Sequence, residues 1–252
     1  MTAPIRVFWQ PWCTSCLRVR EVLASRGVGF DSINVLESED GLAELSRLGA
    51  RSVPVVARGE AFVFAQSIRD VVAFLGLDAE PDPDLSAQEL VERLDLILTA
   101  ARRYTLQMPE GELETKQPNR PRSYRALLYH IFRIPDAFLE MTRGGTLDYE
   151  MLVAPPPAQM RTTQDIAAYG EVVRGGVLAW WDARADKTCT ERVPTYYGAQ
   201  PLHEVLERTT WHSCQHVRQL MALLERLDIR PDAPLSAQNL AGLPLPEGVW
   251  DE

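Results

Sequence analysis

Cysteine and histidine are scarce in this chain, four of each among 252 residues, and they are the side chains best suited to covalent and metal chemistry. Their spacing sorts them into two groups. Cys13 and Cys16 stand in Trp12-Cys13-Thr14-Ser15-Cys16, with Ser52-Val53-Pro54 downstream. His130 stands alone in the middle of the chain, and His212 and His216 are four residues apart. Cys189, Cys214 and His203 fall outside both groups.

A disulfide exchanges when a thiolate attacks one of its sulfurs. The N-terminus of a helix stabilises that thiolate through its unpaired N–H groups and its dipole. Ile5–Trp9 is a short apolar, β-prone run, whereas Leu17, Val19, Val22 and Leu23 recur at helical spacing up to a stop at Gly27. The cysteine box therefore falls at a strand-to-helix junction, with Cys13 at the helix start as nucleophile and Cys16 one turn on as resolving thiol. Two readings compete: a pair of core thiols, or half of a zinc site, whose second ligand pair this half of the chain lacks.

The first eighty residues resemble the glutaredoxin branch of the thioredoxin fold. The resemblance rests on the Cys-Thr-Ser-Cys box, on Val53-Pro54, and on the element order strand (Ile5–Trp9), helix (Cys13–Ser25), strand (Phe30–Val35), helix (Gly41–Leu48), strands (Val53–Ala57 and Ala61–Phe64) and helix (Ser67–Leu75). It implies that Pro54 is cis and lies against the active-site sulfur, with Val53 offering a backbone edge to a peptide-like thiol such as glutathione. It also implies that Ser67 and Asp70 cap the last helix and receive a glutamyl carboxylate. The departure is at Ala65-Gln66-Ser67, where the family usually carries paired glycines.

The histidines suggest a different chemistry. Residues four apart on a helix lie about 40° apart around its axis, so His212 and His216 aim at one point. They share a stripe with Val205, Leu220 and Leu223, and His130 lies among Leu127, Ile134 and Phe138. One buried imidazole is most often a hydrogen-bonded core residue. Three on apolar faces point to a divalent metal, with a hydrogen-bonded histidine cluster as the alternative. His203, nine residues before His212, falls on the opposite face and suits a capping or surface role. Cys214 turns away from the metal side and packs, and Cys189 lies in a loop. Arg133, one turn after His130, is placed to clamp a substrate carboxylate. Trp180, Trp181, Tyr196 and Tyr197 suit core and loop packing.

From about Leu85 to Glu252 the chain resembles the DinB/YfiT-like four-helix bundle family, through His130 and the run His212-Ser213-Cys214-Gln215-His216-Val217-Arg218-Gln219, which fits that family's H-x-x-x-H-x-x-Q signature. The resemblance implies a divalent metal held by His130, His212 and His216, zinc first, with nickel, iron or manganese as alternatives. It also implies a low-molecular-weight thiol, such as glutathione, as cosubstrate of a transferase or isomerase. Three imidazoles on zinc leave a coordination position open for a thiol or a carbonyl.

The elements that must position these groups follow from pattern and punctuation. Leu77 to Asp84 is acidic and broken by prolines, which sets a first domain at 1–77, a linker at 78–84 and a second domain at 85–252. Seven linker residues span at most about 25 Å. Ser86 with Glu89 reads as a capping box opening a helix whose stripe is Leu90, Leu94, Ile97, Leu98 and Ala101. Further helices are expected over Ser123–Met141, Thr163–Asp186 and Pro201–Leu227, separated by the proline-bearing stretches Pro109–Arg122 and Ala154–Pro157. The pattern Leu-Asp-x-x-Pro-Asp-x-x-Leu-Ser-Ala-Gln occurs twice, from Leu77 and from Leu227. Its shortness marks it as local capping and turn chemistry rather than a repeat fold. The tail Pro244–Glu252, with Leu245, Val249 and Trp250, is expected to pack on the bundle. The fold class is thus a two-domain α+β chain: a thioredoxin-like α/β domain and an all-α four-helix bundle.

A net charge of −9 and the absence of a dense basic stripe exclude general nucleic-acid or anionic-membrane binding. No apolar run approaches about 18 residues, and Met1–Gln10 lacks a secretory signal pattern. A cytoplasmic location is expected. The expected partners are a small-molecule thiol and a small-molecule substrate, and a homodimer is compatible with the helical half. The reading is a metal-dependent, thiol-linked transferase or isomerase joined to a dithiol redox module. The alternatives are a thiol-disulfide oxidoreductase whose bundle only binds metal or partners, and a redox or metal sensor without turnover.

Overall fold

A computed structural model describes residues 3–78, 85–117 and 122–250. The chain divides into two compact units. Residues up to 78 together with 245–250 form the first, and 85–244 the second. Most of the linker read from the sequence, residues 79–84, lies outside the described residues.

The first unit is a thioredoxin-like α/β sheet. Its elements are β1 (Ile5–Trp9), α1 (Thr14–Ser25), β2 (Asp31–Asn34), α2 (Glu39–Arg47), β3 (Val55–Arg58), β4 (Ala61–Phe64) and α3 (Ile68–Leu75). The sheet order is β2-β1-β3-β4, with β1 parallel to β2 and the other pairs antiparallel. Strand alternation explains the two-sided core. On one side Val7 and Val56 pack with Val19 and Leu23 of α1 and Val71, Val72 and Leu75 of α3. On the other, Phe8, Val55 and Ala57 pack with Leu45 of α2 and with Cys16.

The second unit is a helical bundle built on α4 (Ala87–Gln107), α5 (Tyr124–Thr142), α7 (Thr163–Ala183) and α8 (Leu202–Arg226). Two shorter helices accompany them, α6 (Tyr149–Val153) and α9 (Ala237–Leu240). Helices α4 and α5 each pack on both α7 and α8, so α5 and α8, which carry the histidines, are neighbours. The α4 stripe foreseen from sequence, Leu90, Leu94, Ile97, Leu98 and Ala101, is fully buried. Ser86 and Glu89 form the expected capping box, and Ser236 with Asn239 forms another at the second copy of the short pattern. Both copies are therefore helix starts, although the second opens only a single turn.

Close approach of α7 to α5 depends on glycine. A Cβ on Gly170 would lie 2.5 Å from the Phe132 ring, well inside contact distance. Gly170 thus gives Phe132 its place in the core, next to Arg133 and two residues from His130.

Two features depart from the sequence reading. A hairpin, β5 (Arg192–Thr195) and β6 (Gly198–Pro201), precedes α8. It is tied to the stretch before α6 by Leu147 N–H donating to the Pro194 carbonyl and Tyr196 N–H donating to the Leu147 carbonyl, at 3.1 and 2.9 Å. The C-terminal tail belongs to the first unit and not to the bundle. There the Glu21 carboxylate accepts from the backbone N–H groups of Glu247 and Gly248, at 2.8 and 3.2 Å. A carboxylate one turn from the end of α1 satisfies two backbone donors that leucine and valine in the tail could not bind. Among the described residues no helix is long and apolar enough to cross a membrane.

Candidate functional site

The first site grows from the turn that ends β1. Trp12 takes a left-handed backbone conformation, φ +65°, which is unusual for a bulky residue and turns the chain into α1. Cys13 becomes the N-cap of α1, its Sγ accepting the Cys16 N–H at 3.2 Å. Cys13 and Cys16 are joined as a disulfide. After reduction the same Sγ position would hold the thiolate, where the helix N–H groups and dipole favour negative charge. Cys13 is half-buried while Cys16 is completely buried. Exposure therefore distinguishes the two sulfurs as sequence spacing cannot.

Val53 lies in the same packed cluster as Cys16, with Cys13 against it. The Val53–Pro54 peptide bond is cis. The Val53 carbonyl accepts from Gln66 Nε2 at 3.3 Å, and the Pro54 carbonyl from the Ala65 N–H at 2.9 Å. Ser67 is the N-cap of α3, its Oγ accepting the Asp70 N–H at 3.2 Å. Sequence and structure thus agree on the capping role of Ser67, in the stretch that lacks the paired glycines.

The second site lies in the bundle. His130 of α5 and His212 and His216 of α8 are all buried, and one ring nitrogen from each lies within 4.8 Å of the others. Ring centroids are 4.8 Å apart for His130 and His216, 5.0 Å for His212 and His216, and 5.7 Å for His130 and His212. Gln219 Oε1 lies 2.8 Å from His216 Nδ1. A proton held on Nδ1 by that acceptor leaves the Nε2 lone pair for a metal, the arrangement by which outer groups orient ligand imidazoles. Three buried neutral nitrogen donors match the chemistry of zinc and its neighbours. The residues present fit such an ion.

A proline fixes the register of the two helices that meet here. Pro135 sits inside α5 and has no N–H to give the carbonyl of Ile131, four residues back. Ser213 of α8 donates its hydroxyl to that carbonyl at 3.1 Å. The bond joins the residue after His130 to the residue after His212, so the vacancy left by Pro135 links the two histidine-bearing helices.

Arg133 does not serve the role expected of it. Its guanidinium donates to the Met151 carbonyl at 2.7 Å, to Asp136 at 3.0 Å and to both oxygens of Glu140 at 2.5 and 3.2 Å. Despite burial, which opposes charge, those carboxylates hold it firmly protonated. Tyr169 completes the network by donating to Asp136 at 2.7 Å. Arg133 therefore fastens α5 to α6 and is not left to clamp a substrate carboxylate.

The remaining candidates fall into place as packing. Cys214 is fully buried, and burial pushes its thiol up to about 12. Cys189 is a buried free thiol, raised by burial as well. His203 Nε2 lies 3.0 Å from the Leu85 carbonyl, a tie between α8 and the start of α4. Trp181 Nε1 donates to Gln88 at 2.7 Å. Sequence reading missed Ser213, which had a signal, since the Pro135 vacancy demands a donor.

Residues 5–63 match the family model described as glutaredoxin. A 55-residue stretch is 36% identical to the Gene 56 protein of Mycobacterium phage L5 and covers 21% of this chain and 53% of that protein. The matched stretch thus spans about half the length of that curated relative. With its Cys13–Cys16 pair at a helix N-terminus, the first unit is a glutaredoxin domain, joined to a helical domain that contains a buried histidine triad.

Proposed function

We propose that this protein is a thiol-disulfide oxidoreductase whose helical domain holds a divalent metal on His130, His212 and His216 and carries out a thiol-linked transfer or isomerisation. The observation that carries the redox half is the asymmetry of the cysteines: Cys13 caps α1 and is half-buried, while Cys16 is fully buried. The convergence of three buried imidazoles on adjacent helices supports the metal half. The likeness of the helical domain to DinB/YfiT-like bundles accords with it.

In the redox step a small thiolate such as glutathione attacks Cys13 Sγ. The Cys13–Cys16 bond breaks, and Cys16 leaves as a thiolate. A second thiolate attacks the outer sulfur of the mixed disulfide, releasing the small disulfide and leaving Cys13 as a thiolate. Two thiols have then lost two electrons, and the protein pair has gained them. Val53 lines the cluster around the cysteines and is assigned, with Pro54 and Ser67, to the thiol-binding edge. A bound divalent ion supplies Lewis acidity and lowers the pKa of a thiol. His130, His212 and His216 would hold it, and Gln219 would set the tautomer of His216.

Tethering gives each chemistry a high local concentration of the other. Assays on the intact chain separate the two. Cys13→Ser should abolish reduction of a mixed disulfide of glutathione and leave metal binding intact. His130→Ala should preserve that reduction and abolish turnover of any thiol-linked substrate. Loss of disulfide reduction in His130→Ala at normal folding would contradict the division of labour.

A further inference from the structure

We infer that the tail, residues 245–250, sets the substrate range of the redox site: seated on α1, it admits small thiols and small mixed disulfides to Cys13 and excludes disulfides presented by folded proteins. This rests on reading Cys13 as the exchanging sulfur. The tail belongs to the same compact unit as the cysteines, although some 160 residues of helical domain separate them in the chain.

The face of α1 that the tail occupies begins at Cys13. Leu17 N–H donates to the Cys13 carbonyl at 3.0 Å, so Leu17 stands one turn beyond Cys13, about 6 Å along the axis, and Glu21 one turn beyond Leu17. The tail rests on the last two. The Glu21 carboxylate accepts from the N–H groups of Glu247 and Gly248 at 2.8 and 3.2 Å. A Cβ on Gly248 would lie 3.4 Å from Leu17 Cδ2 and 3.5 Å from Glu21 Oε1, so glycine lets the backbone itself lie on the helix. Pro244 and Pro246 fix two backbone angles on the way to this contact and limit how far the tail can swing.

The size of a docking surface decides which substrates meet the tail. Even a small protein–protein encounter covers about 600 Å² of each partner, a disc of about 14 Å radius. Centred on Cys13, such a disc crosses Leu17 and runs into the tail. A small disulfide lying along the Val53–Pro54 edge needs no room over Leu17. The two charge-assisted bonds to Glu21 are the clasp that holds this arrangement.

The test compares a small and a bulky thiol reagent, iodoacetamide and a polyethylene-glycol maleimide, for their rates at Cys13 in the reduced full-length protein. Hydrogen exchange of the Glu247 and Gly248 amides is followed in parallel. Glu21→Ala should speed that exchange and raise the maleimide rate by about tenfold, a factor that loss of one charge-assisted hydrogen bond supports. The iodoacetamide rate should stay as it is, whereas a merely structural role for Glu21 would move both. Reduction of insulin disulfides should rise with the maleimide rate, and reduction of a glutathione mixed disulfide should not. Faster exchange at Glu247 and Gly248 with an unchanged maleimide rate overturns the proposal, as does insulin reduction that falls. Glu21→Arg, which offers no acceptor, is the second variant: amides that stay protected in both overturn it too, and should one variant not fold, the other decides. A wild type that reduces neither disulfide overturns the redox reading instead, and the labelling, which needs no turnover, still decides the role of the tail.

Discussion

Ser213 donates its hydroxyl to the one α5 carbonyl that Pro135 cannot serve, that of Ile131, at 3.1 Å. Proline in a helix interior ordinarily kinks it, because the ring crowds the preceding carbonyl and the missing N–H leaves that carbonyl unpaired. Here a neighbouring helix supplies the donor, and both ends of the bond adjoin candidate metal ligands. Ser213→Ala should destabilise the helical domain by about 1–3 kcal/mol, since it leaves a buried carbonyl without its partner. Adding Pro135→Ala restores an N–H to Ile131. The double variant should therefore be more stable than the two single effects predict, as measured by denaturant unfolding. Strict additivity would show that the hydroxyl and the proline are not coupled.

Gly170→Ala should also destabilise the bundle, because its Cβ would lie 2.5 Å from the Phe132 ring. Overpacking of this kind costs about 1–3 kcal/mol and outweighs the helix propensity gained, about 1 kcal/mol. Thermal unfolding measures it. A rise in midpoint would mean that Phe132 has room to move.

These two contacts show what was legible in the sequence. Every element of the glutaredoxin domain was visible, since short apolar runs alternate there with amphipathic helices and glycine stops. The four long bundle helices were visible as well. The triad was legible because i, i+4 spacing fixes a shared face. Nothing in the composition of Tyr149–Val153 or Arg192–Pro201 distinguished a short helix and a hairpin from a loop; their order comes from the backbone bonds of Leu147 to Pro194 and Tyr196. Arg133 was misplaced for a related reason: its partner Met151 lies in that unforeseen helix, and Glu140 lies two turns along α5. The tail was misplaced because apolar residues do not say which apolar surface they will meet.

Arg133→Met therefore tests fastening against substrate binding. It leaves Asp136 and Glu140 without their cation in a partly solvated setting, where loss of the pair costs about 1–3 kcal/mol after screening. Stability should fall, and the zinc content at a temperature where the variant is folded should match the wild type. A variant as stable as the wild type would show that the Arg133 network does not fasten α5 to α6.

Cysteine reactivity separates the thiols. After reduction, iodoacetamide should modify Cys13 first, at a pH below the ~8.5 of an ordinary cysteine. Cys189 and Cys214, buried and raised by burial, should react only on unfolding. Peptide mapping by mass spectrometry reads the order. Equal labelling of Cys13 and Cys16 on a free-cysteine pH profile would contradict the assigned roles.

The convergence of His130, His212 and His216 within 4.8 Å is the centre of the account, and metal analysis of freshly purified full-length protein tests it most directly. The wild type and Cys13→Ser should each carry about one divalent ion per chain, as a single three-histidine site requires. His130→Ala, His212→Ala and His216→Ala should each lose it while remaining folded by circular dichroism. A metal-free wild type that takes up no zinc on dialysis, or histidine variants that keep their metal, would contradict the account.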